Sequence, residues 1–109
     1  MTDELTPSIE QAAKRAFIEH SGKVLSEALS FLGSSDDCSR NTLEGIARVL
    51  HLVKGGAAFL KYREIVTISE NLEQFIRKGL VAPSRDLPER TKERVRYLAD
   101  KIGELCEEI

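Results

Sequence analysis

The chain has 109 residues, of which 41% are hydrophobic and 31% are charged, and its formal net charge at pH 7 is −2. Those values are typical of one soluble globular domain and exclude a disordered chain. The small negative charge provides no overall attraction to nucleic acid, no stretch approaches the roughly 20 apolar residues of a membrane span, and the polar start lacks an apolar signal segment. We therefore expect a cytoplasmic protein that works without a membrane.

Helical spacing of apolar residues runs through four segments, at about residues 8–32, 42–60, 63–78 and 87–108. Thr6 is the predicted N-terminal cap of the first segment. The second opens at Asn41, which has capping-box spacing to Glu44. Gly79 is the predicted end of the third segment, and Asp86 is the predicted cap of the fourth.

Each of these segments has a single apolar stripe, which it must bury against other helices. The connections between them are short, so sequence neighbours are expected to run antiparallel. No alternation of apolar and polar residues competes for a strand assignment. The sequence therefore predicts one all-α domain over residues 1–109, an antiparallel up-down four-helix bundle.

Two adjacent glycines, Gly55 and Gly56, interrupt the second segment within the run HLVKGGAA. Glycine inside a helix costs about 0.5–1 kcal/mol relative to alanine, so the pair needs a reason. One interpretation is a packing contact that requires glycine. The other is a surface that has to stay open to a partner.

His51 opens the same run and lies off the apolar stripe, toward water. Lys54 follows one helical turn later, and the small residues Gly55 and Ala58 give the imidazole little cover. Such a patch would let the active site of another protein reach the ring. The ammonium of Lys54 would offset the charge of a phosphoryl group held there. Taken alone, His51 also fits an ordinary surface histidine.

The run HLVKGGAA resembles the signature of histidine-containing phosphotransfer (HPt) domains, which is His-x-x-Lys-Gly followed by small residues. The family carries a Leu-Glu pair in the next helix, and Leu72 and Glu73 supply it here within NLEQFIRKG. The resemblance covers about residues 8–108. It is closest to the N-terminal phosphotransfer domain of chemotaxis-type histidine kinases.

The resemblance implies roles for individual residues. His51 would be the phosphoacceptor and would attack through Nε2, while Glu73 would accept a hydrogen bond from the other ring nitrogen. Lys54 would neutralise phosphoryl charge and could also bond Glu73. The small residues Gly55, Gly56 and Ala58 would form the surface that the partner approaches.

General chemistry is consistent with the role implied for Glu73. A carboxylate on Nδ1–H selects the tautomer that leaves Nε2 unprotonated and raises the basicity of the ring. Without such a contact, Glu73 would be one more surface acid.

Two positions depart from the family pattern. Many family members have glycine where this chain has Lys61, so either the turn differs or Lys61 adopts a left-handed conformation at a cost of about 1 kcal/mol. Chemotaxis-type members often have a second histidine at the position of Glu70. The other histidine, His20, has no lysine one turn later and is predicted to be a surface residue.

The resemblance implies a module of a two-component phosphorelay, whose partners are a histidine kinase catalytic domain, a response-regulator receiver domain, or both. We find no glycine-rich ATP loop and no acidic metal pocket, and Cys38 and Cys106 match no metal spacing. We therefore expect no cofactor and no metal, and a carrier that has kinase activity only as part of a longer chain. Family analogy favours a monomer for the isolated domain.

Two other functions stay open. A bundle of this kind could dock on a signalling partner without being phosphorylated. The basic run RDLPERTKERVR at residues 85–96 could bind nucleic acid, although its interspersed acids favour a solvated helix face and no nucleic-acid partner.

Overall fold

A computed structural model describes the backbone of residues 2–34 and 40–108 and the side chains of residues 9–32 and 40–107. Four helices make up nearly all of this: α1 (Thr2–Ser34), α2 (Arg40–Phe59), α3 (Arg63–Val81) and α4 (Leu87–Glu104), followed by a short 3₁₀ helix, Leu105–Glu108. No strand occurs within those ranges. Cys38 lies outside the described residues.

The helices pack in a ring, since α1 borders α2 and α4, and α3 borders the same two helices. Each contributes its apolar stripe to one elongated core, and the molecule measures 57 × 23 × 19 Å. The largest fully buried apolar side chains are those of Leu25, Leu50, Leu72, Ile76, Leu98 and Ile102. The all-α four-helix bundle predicted from the sequence is confirmed.

The first helix is longer than its apolar pattern. It begins at Thr2 rather than near Ser8, so Thr6 lies inside the helix and the prediction that it caps the N-terminus was wrong. The reason is that the apolar stripe starts only at Ile9, and periodicity cannot detect polar turns that precede it. At the other end the helix continues to Ser34, past the apolar residue Leu32.

The start of α2 also differs from the prediction. The helix begins at Arg40, which places Asn41 inside it. Glu44 does not close a capping box with Asn41; its Oε1 accepts a hydrogen bond from Nε of Arg40 at 3.2 Å. Arg40 also donates from Nη1 to the Leu80 carbonyl at 3.2 Å, which ties the start of α2 to the end of α3.

Lys61 stands in the tight turn between α2 and α3 and has a φ of 66°. The N–H of Tyr62 donates to the Ala57 carbonyl at 2.8 Å, and the N–H of Lys61 donates to the Ala58 carbonyl at 3.1 Å. This is the Schellman pattern, which satisfies the last carbonyls of a helix and needs a left-handed residue. Of the two alternatives for Lys61, the left-handed conformation is the one observed.

Replacing Lys61 with glycine should stabilise the protein. The left-handed conformation costs a non-glycine residue about 1–2 kcal/mol, and the greater freedom of glycine in the unfolded chain offsets part of that gain. We expect the free energy of unfolding, measured in urea, to rise by about 0.5–1 kcal/mol. Lys61→Ala is the control, because alanine keeps the backbone strain. A glycine variant no more stable than the alanine variant would contradict this explanation.

The end of α3 and the start of α4 meet at Gly79. The helix continues through Gly79 to Val81, so the prediction that Gly79 ends it was wrong. A Cβ at this position would lie 2.5 Å from Cδ1 of the buried Leu87, so a larger residue would force Leu87 to move. Asp86 is the N-terminal boundary residue of α4 as predicted, but its side chain makes no capping bond. It accepts a 2.6 Å hydrogen bond from Ser84, which lowers the pKa of the Asp86 carboxyl.

Gly79→Ala should therefore destabilise the bundle, although alanine is the better helix former. Overpacking of a buried contact typically costs about 1–3 kcal/mol, and Leu87 would have to move to accept the methyl group. The matched control is Gly22→Ala in α1, where an added Cβ meets no atom within 4 Å. That change should stabilise by about 0.5–1 kcal/mol. Chemical unfolding of both variants measures the contrast, and equal effects would contradict the packing role of Gly79.

Candidate functional site

His51 lies on the outer face of α2, and 64% of its side chain is exposed. Two buried neighbours in the helix, Leu50 and Val53, fix the rotation of α2 against the core. Because successive residues of a helix are about 100° apart, this rotation directs His51 outward and toward the edge that α2 shares with α3.

Glu73 faces His51 across that edge. Its neighbour Leu72 is buried in the core, and the Glu73 side chain itself is only 13% exposed. Its Oε1 lies 3.5 Å from Nδ1 of His51. This separation is longer than an ideal hydrogen bond, as is common for catalytic contacts before the reacting complex forms. The structure thus brings together the two residues that the sequence paired, with Nδ1 as the ring nitrogen on the carboxylate side.

The second oxygen of Glu73 is occupied by Arg77. Its Nε donates to Oε2 at 3.1 Å from one turn further along α3. Arg77 does not stand out in the sequence, because a Glu and an Arg four residues apart are a common surface pair on any helix. Lys54 is half-buried and forms no ion pair with the described residues, so Arg77, not Lys54, is bonded to Glu73.

The two glycines after Lys54 have different surroundings. A Cβ at Gly55 would meet no atom within 4 Å, and Gly55 and Ala58 are both exposed. A Cβ at Gly56 would lie 3.0 Å from Cδ1 of Phe17 in α1. Gly56 therefore fits the packing interpretation, whereas Gly55 leaves open surface beside the ring.

Two large apolar side chains of α2, Leu52 and Phe59, are exposed on the C-terminal side of His51. Leu52 is 74% exposed and Phe59 is 83% exposed, and their seven-residue spacing puts them on one face with Gly55 between them. We call Leu52, Gly55 and Phe59 the exposed α2 face. Both apolar side chains are therefore accessible to a partner that packs on this side of α2.

The exposed α2 face adjoins a groove between α1 and α2. Leu52 lines it together with Phe17, Val24 and Val49. His20 also lines this groove and is exposed, as predicted for a surface residue.

Two arginines of the basic run at the start of α4 contact an aromatic ring of α3. The guanidinium carbon of Arg94 lies 4.2 Å from the ring centre of Phe75, and that of Arg90 lies 5.3 Å from it. Both distances are in the range of cation–π contacts. The two arginines thus cover an α3 side chain, which favours the helix-face interpretation over nucleic-acid binding.

In residues 2–34 and 40–108, no helix has the length and apolarity to cross a membrane. The described side chains also contain no group of three or more His, Cys, Asp or Glu residues placed to hold a metal ion.

Comparison with known proteins gives one match. Neither a curated protein nor a solved structure matches the chain significantly. The model of the Hpt domain family, however, matches residues 6–109, which covers most of α1 and all of α2, α3 and α4. The chain therefore belongs to the Hpt domain family, the histidine phosphotransfer modules of two-component phosphorelays.

Proposed function

We propose that His51 carries the phosphoryl group in this domain. The observation that supports it is an exposed imidazole whose Nδ1 faces a half-buried carboxylate at 3.5 Å, next to the uncovered backbone of Gly55. His20, the other histidine, has no ion pair with the described acidic side chains.

The transfer needs one bond to form and one to break. The lone pair on Nε2 of His51 attacks phosphorus, and the bond from phosphorus to the leaving oxygen of ATP or of a receiver aspartyl phosphate breaks. The proton on Nδ1 stays on the ring and faces Glu73. In the onward step a receiver aspartate oxygen attacks phosphorus, and the electron pair of the P–N bond returns to Nε2.

Glu73 and Lys54 have complementary tasks in this scheme. Glu73 keeps the proton on Nδ1, so that Nε2 presents its lone pair to the donor. Lys54 is one turn from His51 and unpaired among the described residues, so its ammonium is available to the phosphoryl oxygens.

The exposed α2 face supplies the docking surface for the partner. Leu52 and Phe59 offer apolar area on either side of Gly55, where the backbone allows close approach. The partner is a receiver domain or a kinase catalytic domain, which brings ATP and Mg²⁺ or the aspartyl phosphate. Because the relay starts from ATP, we place it in the cytoplasm. By analogy with the family, the isolated domain acts as a monomer.

Phosphoryl uptake tests the proposal. The chain is incubated with a receiver charged by a small phosphoryl donor and, separately, with a histidine kinase and ATP. We expect one phosphoryl group per chain, stable in base and lost in acid, together with loss of phosphate from the receiver. A chain that binds the receiver and takes up no phosphoryl group would instead be the phosphorylation-independent docking module.

A further inference from the structure

Glu73 is shared between two partners. Oε1 faces the imidazole of His51 at 3.5 Å, and Oε2 accepts the hydrogen bond from Arg77 at 3.1 Å. One cation on α3 therefore holds the carboxylate that the histidine on α2 needs.

Glu73 is the least exposed of the three side chains, and its orientation depends on the contacts that its two oxygens make. The Glu73 side chain is 13% exposed, whereas those of Arg77 and His51 are 52% and 64% exposed. A glutamate has three rotatable side-chain bonds, and a single long contact to an exposed ring would not hold it in one rotamer. The charge-assisted bond from Arg77 is the shorter of its two contacts and comes from the same helix, so it holds Oε1 toward α2.

We propose that Arg77 is a positioning residue for phosphoryl transfer: it orients Glu73, and Glu73 in turn keeps the proton of His51 on Nδ1. This inference rests on the proposed function of His51. Arg77 touches neither the ring nor the position of the phosphoryl group in this scheme. Its effect is to raise the fraction of domains in which Nε2 is ready to attack.

The tautomer of His51 provides a direct readout. In ¹⁵N NMR spectra at a pH where the ring is neutral, the two ring nitrogens report which of them carries the proton. We expect the wild type to favour Nδ1–H and Arg77→Gln to shift the equilibrium toward Nε2–H. Lys78→Gln is the matched control, because Lys78 is an exposed cation on the adjacent position of α3. It should leave the tautomer unchanged, and Arg77→Lys should restore most of the wild-type ratio.

Transfer kinetics give the second readout. For Arg77→Gln we expect the rate from a saturating phosphorylated receiver to fall about three- to tenfold, below the 10–100-fold loss seen when a residue that directly orients a metal-binding histidine is replaced. Affinity for the receiver should stay within twofold. In a Glu73→Ala background, where residue 73 has no acceptor left for Arg77, the same substitution should have no further effect, because Arg77 acts through Glu73.

The outcomes separate the inference from the proposed function. An unchanged tautomer in Arg77→Gln, an equal change in Lys78→Gln, or a rate loss that persists in the Glu73→Ala background would overturn the role of Arg77. In each of those cases His51 could still carry the phosphoryl group. A wild-type chain that takes up no phosphoryl group would instead reject the proposed function, whatever the tautomer shows.

Discussion

His51→Gln should abolish acid-labile phosphoryl uptake from both a charged receiver and a kinase with ATP. The amide of glutamine has no nucleophilic lone pair equivalent to Nε2, and no neighbouring histidine can replace it. Since most of the side chain is exposed, we expect the free energy of unfolding to change by no more than about 0.5 kcal/mol. Radiolabel retained after alkaline denaturation of the protein measures the uptake, and urea unfolding checks the fold.

His20→Gln is the matched control for that experiment. It removes the other histidine, which is also exposed and lies on α1 along the groove. Uptake by this variant should equal that of the wild type. Acid-labile label on His51→Gln, or its loss from His20→Gln, would show that the phosphoacceptor has been misassigned.

Glu73→Gln should slow phosphoryl transfer by about 10–100-fold while uptake still goes to completion. Glutamine has the size of glutamate and can still accept a bond from Arg77, but its neutral amide no longer selects Nδ1–H on His51. It also no longer offsets the positive charge that builds on the ring during attack. Rapid-quench kinetics with a saturating charged receiver measure the rate.

Glu70→Gln controls for the loss of one negative charge on α3. Glu70 is exposed, precedes Glu73 by one turn, and forms no ion pair with the described residues. Its replacement should leave the rate within about twofold of wild type, as expected for a surface change away from a functional contact. Similar rates for the two variants would reduce Glu73 to an ordinary surface acid.

The fold could be predicted because apolar residues repeat at helical spacing along each of the four segments. Leu50, Leu72 and Leu98 each belong to the apolar stripe of their own helix, and all three are buried in the one core. The helix ends were less predictable because they depend on single contacts. Glycine commonly marks the end of a helix. Gly79 nevertheless lies inside α3, where it packs against Leu87, a residue of the next helix.

The site likewise has features that the sequence predicts and features that only the structure shows. The sequence paired His51 with Glu73 through the resemblance to a known signature, and the structure places them 3.5 Å apart. It did not distinguish Gly55 from Gly56, since only the position of α1 shows that Phe17 packs against the second glycine. Arg77 was missed because its spacing to Glu73 is common on helix surfaces and gains meaning only when Glu73 faces a histidine.

The most direct test of the account is to observe the phosphorylated nitrogen itself. A ¹⁵N-histidine-labelled chain, charged by a phosphorylated receiver, can be examined by ¹⁵N and ³¹P NMR for coupling between phosphorus and a ring nitrogen. We predict one coupled nitrogen, Nε2 of His51, with the remaining proton on Nδ1. Phosphorus bonded to Nδ1 of His51, to His20 or to a residue other than histidine would contradict the account.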